Sequence, residues 1–345
     1  MRSLRDTLDH LLEGGDLDEG EAAHLLELLT AADVAPAMAG ALLAAVRAKG
    51  VTPAEVRGFA AAMRSLARKP VLPEAPDAID IVGTGGDSSG SLNLSTGAAL
   101  LAAASGLPVV KHGNRSISSR SGSADLMEQL GLELPLDERR AGECFAATGF
   151  TFLFAPYFHP AMKALAPTRA ALGVRTVLNL LGPLTNPAAP RYQLIGAYDA
   201  ATALLMAQTL AGTTRERAWV VHGAAGWDEA TPIGPFSAHE VTPGAVRDLK
   251  VDPREYGLPP CRPEDLKGGD AAVNCAALRA VFERRDRGPH RDALALQCGL
   301  ALYIAGRAGS IAAGVDAARE TVDSGRAAEW LVRLEQFSVP AGAGT

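Results

Sequence analysis

The sequence predicts an α/β protein with a small helical N-terminal lobe and a large lobe built around a mostly parallel sheet. Three observations support this fold class: helical patterns without strands up to about Lys69, a proline-rich interruption at 69–76, and alternating strand and helix patterns beyond it. A chain of 345 residues, 48% of them hydrophobic, can bury two large cores. We place the small lobe at residues 1–70, with a contribution from about 168–188, and the large lobe at 77–340.

The small lobe carries an amphipathic leucine cluster and a clear helix start. Leucines stand at positions 25, 26, 28 and 29, on one face of a predicted helix. Residues 52–55 read Thr-Pro-Ala-Glu, which places a capping hydroxyl, a proline at the first helical position and a glutamate at the third. The prolines within 70–76 then end the helical pattern, because proline breaks both helix and sheet.

In the large lobe, short apolar runs alternate with helical patterns. Strands are predicted at 78–82, 107–110, 152–154, 193–196 and 219–221. Helices are predicted at 95–104 and 202–210, and the chain from Asp270 onward is mostly helical in pattern. Strands that alternate with helices favour a largely parallel sheet covered on both faces.

The composition argues against several classes of protein. A formal net charge of -6 disfavours a nucleic-acid-binding protein, which needs a cationic face. The four cysteines form no CxxC pair, so we expect no structural zinc site and a reducing compartment. With no signal-peptide pattern and no apolar run of membrane-spanning length, we expect a cytoplasmic protein that contacts no membrane.

Three glycines and an aspartate follow the first predicted strand, in the Gly-Thr-Gly-Gly-Asp turn at 83–87. Glycine permits positive φ and close backbone approach, so successive N–H groups can line a concave anion site. A strand-to-helix turn without a ligand explains the same glycines and is the more common case for a single turn. The two familiar nucleotide motifs do not fit, because Ser88 stands where GxGxxG needs its last glycine and no Gly-Lys-Ser/Thr follows.

Two polar segments come next. Residues 93–96 (Asn-Leu-Ser-Thr) open the following helix, where they either cap it or help its N-terminus to bind an anion, and a hydroxyl there can ligate magnesium. Residues 111–116 (Lys-His-Gly-Asn-Arg-Ser) follow the second predicted strand, with more serines up to Ser123. Two cations and several hydroxyls suit phosphate oxygens. We favour a phosphate site over a solvated loop, because the strand fixes this segment at the sheet edge of the glycine turn.

Later residues offer a metal site and a carboxylate site. Asp228 and Glu229 follow the fifth predicted strand; they suit Mg²⁺, although an exposed acidic turn is the more common origin of such a pair. Arg169 suits either a bidentate contact to a carboxylate or an ordinary helix surface. His222 fits a packed strand end better than a catalyst. We interpret residues 175–187 as mainly structural, a hinge between the lobes.

The order and spacing of these segments resemble the anthranilate phosphoribosyltransferase family, whose members have a nucleoside-phosphorylase-like fold. The resemblance rests on residues 83–87, 93–96, 111–116, 121–125, 159–163, 175–187, 228–229 and 268–270. Each motif alone is weak, whereas the ordered set covers nearly the whole chain and is very specific.

The resemblance implies transfer of a phosphoribosyl group from phosphoribosyl pyrophosphate to the amine of anthranilate, the second step of tryptophan biosynthesis from chorismate. It implies two Mg²⁺ ions held by Ser95, Asp228 and Glu229, and a homodimer formed through the small lobe. It implies anthranilate contacts at Gly83, Asn114 and Arg169. The implied contacts to the sugar donor are Gly83, Gly86, Asp87, Ser91, Asn93, Leu94, Ser95, Thr96, Lys111, His112, Gly113, Asn114, Arg115, Ser116, Ser119 and Ser123. We assign no general base, because the aromatic amine attacks as a neutral nucleophile and positioning matters more.

Some residues depart from the pattern of the family, and other functions stay open. Trp227 stands before the acidic pair in place of a smaller residue, and Pro232 and Phe236 alter the loop after it, which puts the geometry of the metal loop in question. Residues 296–298 and Arg120 also differ. The alternatives are a pyrimidine nucleoside phosphorylase, a transferase for another aminobenzoate, and a non-catalytic paralogue that binds nucleic acid.

Overall fold

The computed structural model describes residues 2–31, 34–73, 76–116 and 120–338. One predicted donor contact, Ser119, lies outside the described residues.

The N-terminal part of the chain folds into four helices. They are α1 (Leu4–Leu12), α2 (Glu19–Thr30), α3 (Pro36–Lys49) and α4 (Pro53–Ser65). The predicted start of α4 is confirmed: the Glu55 amide donates to the Thr52 hydroxyl at 3.3 Å, and the Thr52 amide donates to the Glu55 carboxylate at 2.8 Å. Gly50, with φ of 89°, ends the preceding helix in a conformation that residues with a side chain rarely adopt.

A seven-stranded sheet forms the centre of the large lobe. Its strands are β1 (Ile79–Gly83), β2 (Val109–Gly113), β3 (Phe150–Phe154), β4 (Tyr192–Gly196), β5 (Arg217–His222), β6 (Phe236–Thr242) and β7 (Ala245–Val251). The strand order is β3-β2-β1-β4-β5-β6-β7, and the first five are parallel. The five predicted strands and the mostly parallel sheet are therefore confirmed.

The β6–β7 hairpin was not predicted. Both strands pair antiparallel, β6 with β5 and β7 with β6. Phe236 is the first residue of β6, so its assignment to a loop was wrong. The hairpin is hard to see in the sequence because its outward positions carry charged residues and only one face is apolar.

Ten further helices surround the sheet in the described parts of the chain. They are α5 (Leu94–Ala104), α6 (Ser123–Gln129), α7 (Glu138–Thr148), α8 (Ala155–Phe158), α9 (Met162–Leu172), α10 (Ala200–Ala211), α11 (Ala271–Phe282), α12 (Pro289–Ile304), α13 (Ile311–Asp323) and α14 (Arg326–Ser338). The mostly helical C-terminal part is as predicted. None of the helices in these ranges has the length and apolarity needed to cross a membrane.

Two hydrophobic cores lie on opposite faces of the sheet. Leu194 and Trp219 point into the first core, with helices α5 and α12. Their neighbours Ile195 and Val220 point into the second core, because side chains alternate along a strand. This second core continues into α1 to α4 and takes in Leu178 from the segment after α9. The division of the chain at residues 70 and 77 stays a prediction.

Candidate active site

The order of the strands reverses between β1 and β4, where the β2–β3 side of the sheet meets the β5 side. In open α/β sheets, ligands bind beyond the carboxyl ends of the strands at such a point. The acidic segment lies directly there. A Cβ on Gly196, the last residue of β4, would lie 1.6 Å from the Asp228 carbonyl oxygen, and one on Gly83 would lie 2.5 Å from the Asp228 carboxylate. Both strand ends must therefore be glycine for the acidic segment to pack on the sheet.

Hydrogen bonds join the glycine turn to Asp228, the first residue of the acidic pair. The Gly85 amide donates to the Asp228 carboxylate at 2.5 Å, and the Asp228 amide donates to the Asp87 carboxylate at 3.3 Å. Gly85 and Gly86 have φ of 69° and 79°, which explains why glycine is needed at both positions. Asp87 also accepts from the Ser89 amide at 3.1 Å, so its carboxylate shapes the rest of the turn.

Arg175 contacts the glycine turn, a role that sequence reasoning missed. Its guanidinium donates to the Gly86 carbonyl at 2.7 Å and stacks over the Tyr198 ring, 4.1 Å from the ring centroid. This contact is to a main-chain carbonyl and is structural in kind, so the interpretation of 175–187 as mainly structural stays a prediction. The contact joins positions 89 residues apart, and no local pattern in the sequence could reveal it.

The start of α5 contacts the acidic pair through one main-chain amide. The Ser95 amide donates to the Glu229 carboxylate at 3.2 Å. Asn93 precedes the helix but does not cap it with its side chain; its amide group binds the Ser121 carbonyl at 3.0 Å and accepts from Asn274 at 2.7 Å. The helix N-terminus is thus held by neighbouring segments. The next residue, Leu94, is buried in the apolar core, so only its main chain can face a ligand there.

Asp228 is buried, Glu229 is half-buried, and together they carry more negative charge than their surroundings balance. Burial raises the pKa of Asp228 well above its ordinary value, and the neighbouring Glu229 and Asp87 raise it further. Burial likewise raises the pKa of Glu229 to about 7, while Lys111 opposes the shift. Carboxylates that repel each other in an environment of low dielectric constant are suited to bind a divalent cation, because the cation neutralises their charge.

Lys111 and His112 lie within β2, so their placement after the strand was wrong. Lys111 is only 2% exposed and donates to the Ile81 carbonyl at 2.5 Å. Burial lowers its pKa, and the fields of Asp80 and Glu229 oppose that shift. Lys111 can hold position this deep because these two carboxylates lie near it.

His112 is neutral at physiological pH. Burial, with a smaller contribution from the neighbouring His159, lowers its pKa to about 3. The two rings meet edge to face with centroids 5.0 Å apart. The Nδ1 of His112 lies 3.2 Å from the Gly182 carbonyl oxygen, which makes it a donor in that contact. His112 therefore adds no positive charge for a phosphate.

The segment after β2 is tied to α6. The Asn114 carbonyl accepts from the Ser123 hydroxyl at 3.2 Å, and the Ser116 amide donates to the Asp125 carboxylate at 3.1 Å. Arg115 forms an ion pair with Glu128, so its charge is already partly neutralised. Gly113 leaves room for the Ser123 hydroxyl, which a Cβ there would approach to 2.2 Å. The fold thus brings Asn114 and Ser123 together.

Arg169 lies half-buried on α9, and the described residues place no acidic side chain in an ion pair with it. Burial lowers its pKa. A cation in this setting gains from a carboxylate ligand. His222, in contrast, is a packed strand-end residue, with its Nδ1 2.9 Å from the Ala197 carbonyl oxygen.

Within the described ranges, no three His, Cys, Asp or Glu side chains form a ready-made metal site. Ser91 lies beside the turn, where its hydroxyl accepts from the Ser89 hydroxyl at 3.2 Å. The donor set near Asp228 and Glu229 is nevertheless all oxygen. It fits Mg²⁺, which commonly keeps waters and shares substrate phosphates instead of occupying a full protein cage.

Family models match the two parts of the chain. A glycosyl transferase family helical bundle domain matches residues 5–67, and a glycosyl transferase family a/b domain matches residues 75–328. The fold and the site therefore define a glycosyltransferase with a helical bundle and an α/β domain.

Curated relatives and solved structures narrow this class. The chain is 44% identical to anthranilate phosphoribosyltransferase of Rubrobacter xylanophilus over 334 residues, which cover 97% of this chain and 96% of the relative. The same enzyme from Thermus thermophilus superposes with a TM-score of 0.89 at 44% identity, covering 96% of this chain and 99% of that one. The Saccharomyces cerevisiae enzyme, in complex with PRPP and Mg, gives 0.87 at 25% identity, with 97% of each chain covered. The chain belongs to the anthranilate phosphoribosyltransferase family.

Proposed function

We propose that this chain transfers the phosphoribosyl group of phosphoribosyl pyrophosphate to the amine of anthranilate, the second step of tryptophan biosynthesis from chorismate. The observation that carries the proposal is the acidic pair at the point where the strand order reverses, with Asp228 hydrogen-bonded to the glycine turn and Glu229 to the start of α5. Such a site suits a diphosphate with its magnesium, and the relatives bear the name of this activity.

The donor binds between the glycine turn and the start of α5. The main chain at Gly83 and Gly86, the start of α5 and the loop that includes Asn114 supply amide and hydroxyl donors. Arg175 holds the turn through the Gly86 carbonyl. Lys111 supports the site electrostatically through its field at Glu229.

Asp228, Glu229 and Ser95 would hold two Mg²⁺ ions, with oxygens of the diphosphate as further ligands. When bound, the metal stabilises the negative charge that develops on the departing pyrophosphate. The chain's own part is to keep a buried and a half-buried carboxylate adjacent, with Glu229 bound to the Ser95 amide. Gly83 and Gly196 fix their position by allowing the segment to touch the strand ends.

Anthranilate lies near Gly83 and Asn114, with its carboxylate on Arg169. A half-buried guanidinium with no acidic partner in the described part of the chain favours an aromatic acid over a neutral base. No side chain need remove a proton before attack, because the amine is neutral and nucleophilic. Positioning of the two substrates supplies much of the rate.

A cytoplasmic homodimer formed through the small lobe completes the proposal. Multi-angle light scattering at micromolar concentration tests the oligomeric state, and the mass of a monomer would contradict the homodimer.

The acceptor is tested by steady-state turnover at fixed phosphoribosyl pyrophosphate and Mg²⁺. Anthranilate, 4-aminobenzoate and hydroxylated analogues are compared for kcat/KM. Anthranilate should be preferred, and a higher value for another aminobenzoate would reassign the acceptor. Thymidine and uridine with phosphate form a second arm, in which robust phosphorolysis would favour the nucleoside phosphorylase alternative. Tight DNA binding without any turnover would favour the non-catalytic paralogue.

A further inference from the structure

A cavity lies at the opposite end of the sheet from the candidate active site. Arg57, Arg64, Arg191 and Arg215 line it, and we call it the arginine cavity. Its volume is about 150 Å³. One buried water needs roughly 15 Å³ by the same kind of measure, so an ion of several heavy atoms fits.

The fold brings these arginines together from three elements. Arg57 and Arg64 lie two turns apart on α4 and therefore share one face. Arg191 and Arg215 precede β4 and β5, whose first residues, Tyr192 and Arg217, are paired neighbours. The cavity is thus at the amino ends of these strands, on the order of 13 Å along β4 from Gly196.

Two of the four charges are balanced. Arg57 pairs with Glu19 at 2.9 Å, and Arg191 lies 3.8 Å from Glu216. The other two, Arg64 and Arg215, form no ion pair with a described acidic residue.

Arg64 and Arg215 bind main-chain carbonyls instead of carboxylates. Arg64 donates to the Leu184 carbonyl at 2.7 Å, and Arg215 donates to the Pro190 carbonyl at 2.6 Å. Arg215 is 9% exposed. Burial, together with the like charge of the nearby Arg64, lowers the pKa of Arg215 to about 10.

A purely structural role explains these arginines poorly. Arg217, two residues after Arg215, is fully paired with Glu240, which is how this chain stabilises a partly buried arginine. The carboxyl end of α10 adjoins the cavity, but a helix terminus carries only roughly half an elementary charge. Glu19 acts on Arg64 and Asp80 on Arg215, but neither lies within ion-pair distance of that arginine. The two cations therefore keep an excess of positive charge, and desolvating them without an anion costs free energy.

We propose that the arginine cavity binds a small dianionic oxyanion of the phosphate class, at a site separate from the candidate active site. Arg64 and Arg215 neutralise its two charges, and Arg191 guides it at the more exposed mouth. Guanidinium groups suit this ligand because their planar donors match phosphate oxygens in pairs.

Equilibrium dialysis with radiolabelled inorganic phosphate counts the sites in the full-length protein. Besides any phosphate bound near the glycine turn, the wild type should bind one equivalent that Arg64→Gln loses or binds at least tenfold more weakly. Arg191→Gln removes an exposed charge and should weaken the same equivalent severalfold without affecting the fold, which thermal unfolding checks. Arg333→Gln, an exposed arginine on α14, is the matched control and should change nothing.

Selenate soaked into crystals locates the site by its anomalous scattering. A peak between the guanidinium groups of Arg64 and Arg215 is expected, distinct from any peak near Asp228. Equal phosphate binding by wild type, Arg64→Gln and Arg191→Gln would overturn the proposal, even if a peak formed at crystal soaking concentrations. Phosphate bound near the glycine turn contributes equally to the count in every variant. The result at the arginine cavity is therefore independent of the proposed transferase activity.

Discussion

Replacing Gly196 with alanine tests whether the fit of the acidic segment on the sheet governs activity. The new Cβ would lie 1.6 Å from the Asp228 carbonyl oxygen, and real contacts of this kind are at least 3.0 Å long, so the segment must move by 1.4 Å or more. The obstacle is backbone, which cannot rotate away as a side chain could. Misplacing a catalytic group by about 1 Å can cost on the order of 100-fold in rate.

We therefore expect Gly196→Ala to lower kcat/KM for anthranilate by about 100-fold and to raise the Mg²⁺ concentration that gives half-maximal rate. The free energy of unfolding should fall by only about 1–3 kcal/mol, as for other overpacked sites. Loss of anthranilate fluorescence follows the reaction, and urea unfolding measures stability. Gly309→Ala is the matched control, because no atom lies within 4 Å of a Cβ there. Activity within twofold of wild type would refute the reasoning.

Three further predictions concern charged residues of the site. Asp228→Asn combined with Glu229→Gln should weaken both Mg²⁺ dependence and turnover with an unchanged circular dichroism spectrum; an unaltered Mg²⁺ response would remove the pair from the metal site. The pKa of Glu229 is raised from 4.5 to about 7, so the folded state holds more protons between these values and the free energy of unfolding falls as pH rises. In Mg²⁺-free buffer, wild type should therefore lose on the order of 3 kcal/mol relative to Glu229→Gln from pH 4.5 to 7, measured by urea titration; parallel curves would contradict this. Arg169→Gln should raise KM for anthranilate by about 10- to 100-fold, since a hydrogen bond to a charged group is lost, and should leave KM for the donor unchanged; equal changes in both would point to a general distortion.

The sequence reveals those parts of the fold that depend on local pattern. The five parallel strands are short apolar runs, and the start of α4 follows from residues 52–55 alone. The β6–β7 hairpin escapes such reasoning, because one of its faces is charged and exposed.

Within the site, the errors arise where distant residues decide the outcome. Lys111 and His112 look like loop residues because strands seldom contain buried charge, yet β2 has a neighbour on each side and carboxylates near Lys111. Gly196 looks like an ordinary strand end until Asp228 is placed against it. The contact between Arg175 and Gly86 likewise requires the tertiary structure.

The second core has a consequence for how the molecule holds together. The helical bundle covers one face of the sheet. Phe59 of α4 belongs to the same continuous apolar cluster as Ile195 and Val220 of the sheet and Met206 of α10. A fragment that starts after residue 70 would present this surface to water and should be poorly soluble. The helical bundle and the sheet should also unfold in a single cooperative transition. The two family domains can be told apart in the sequence, but they should not unfold independently.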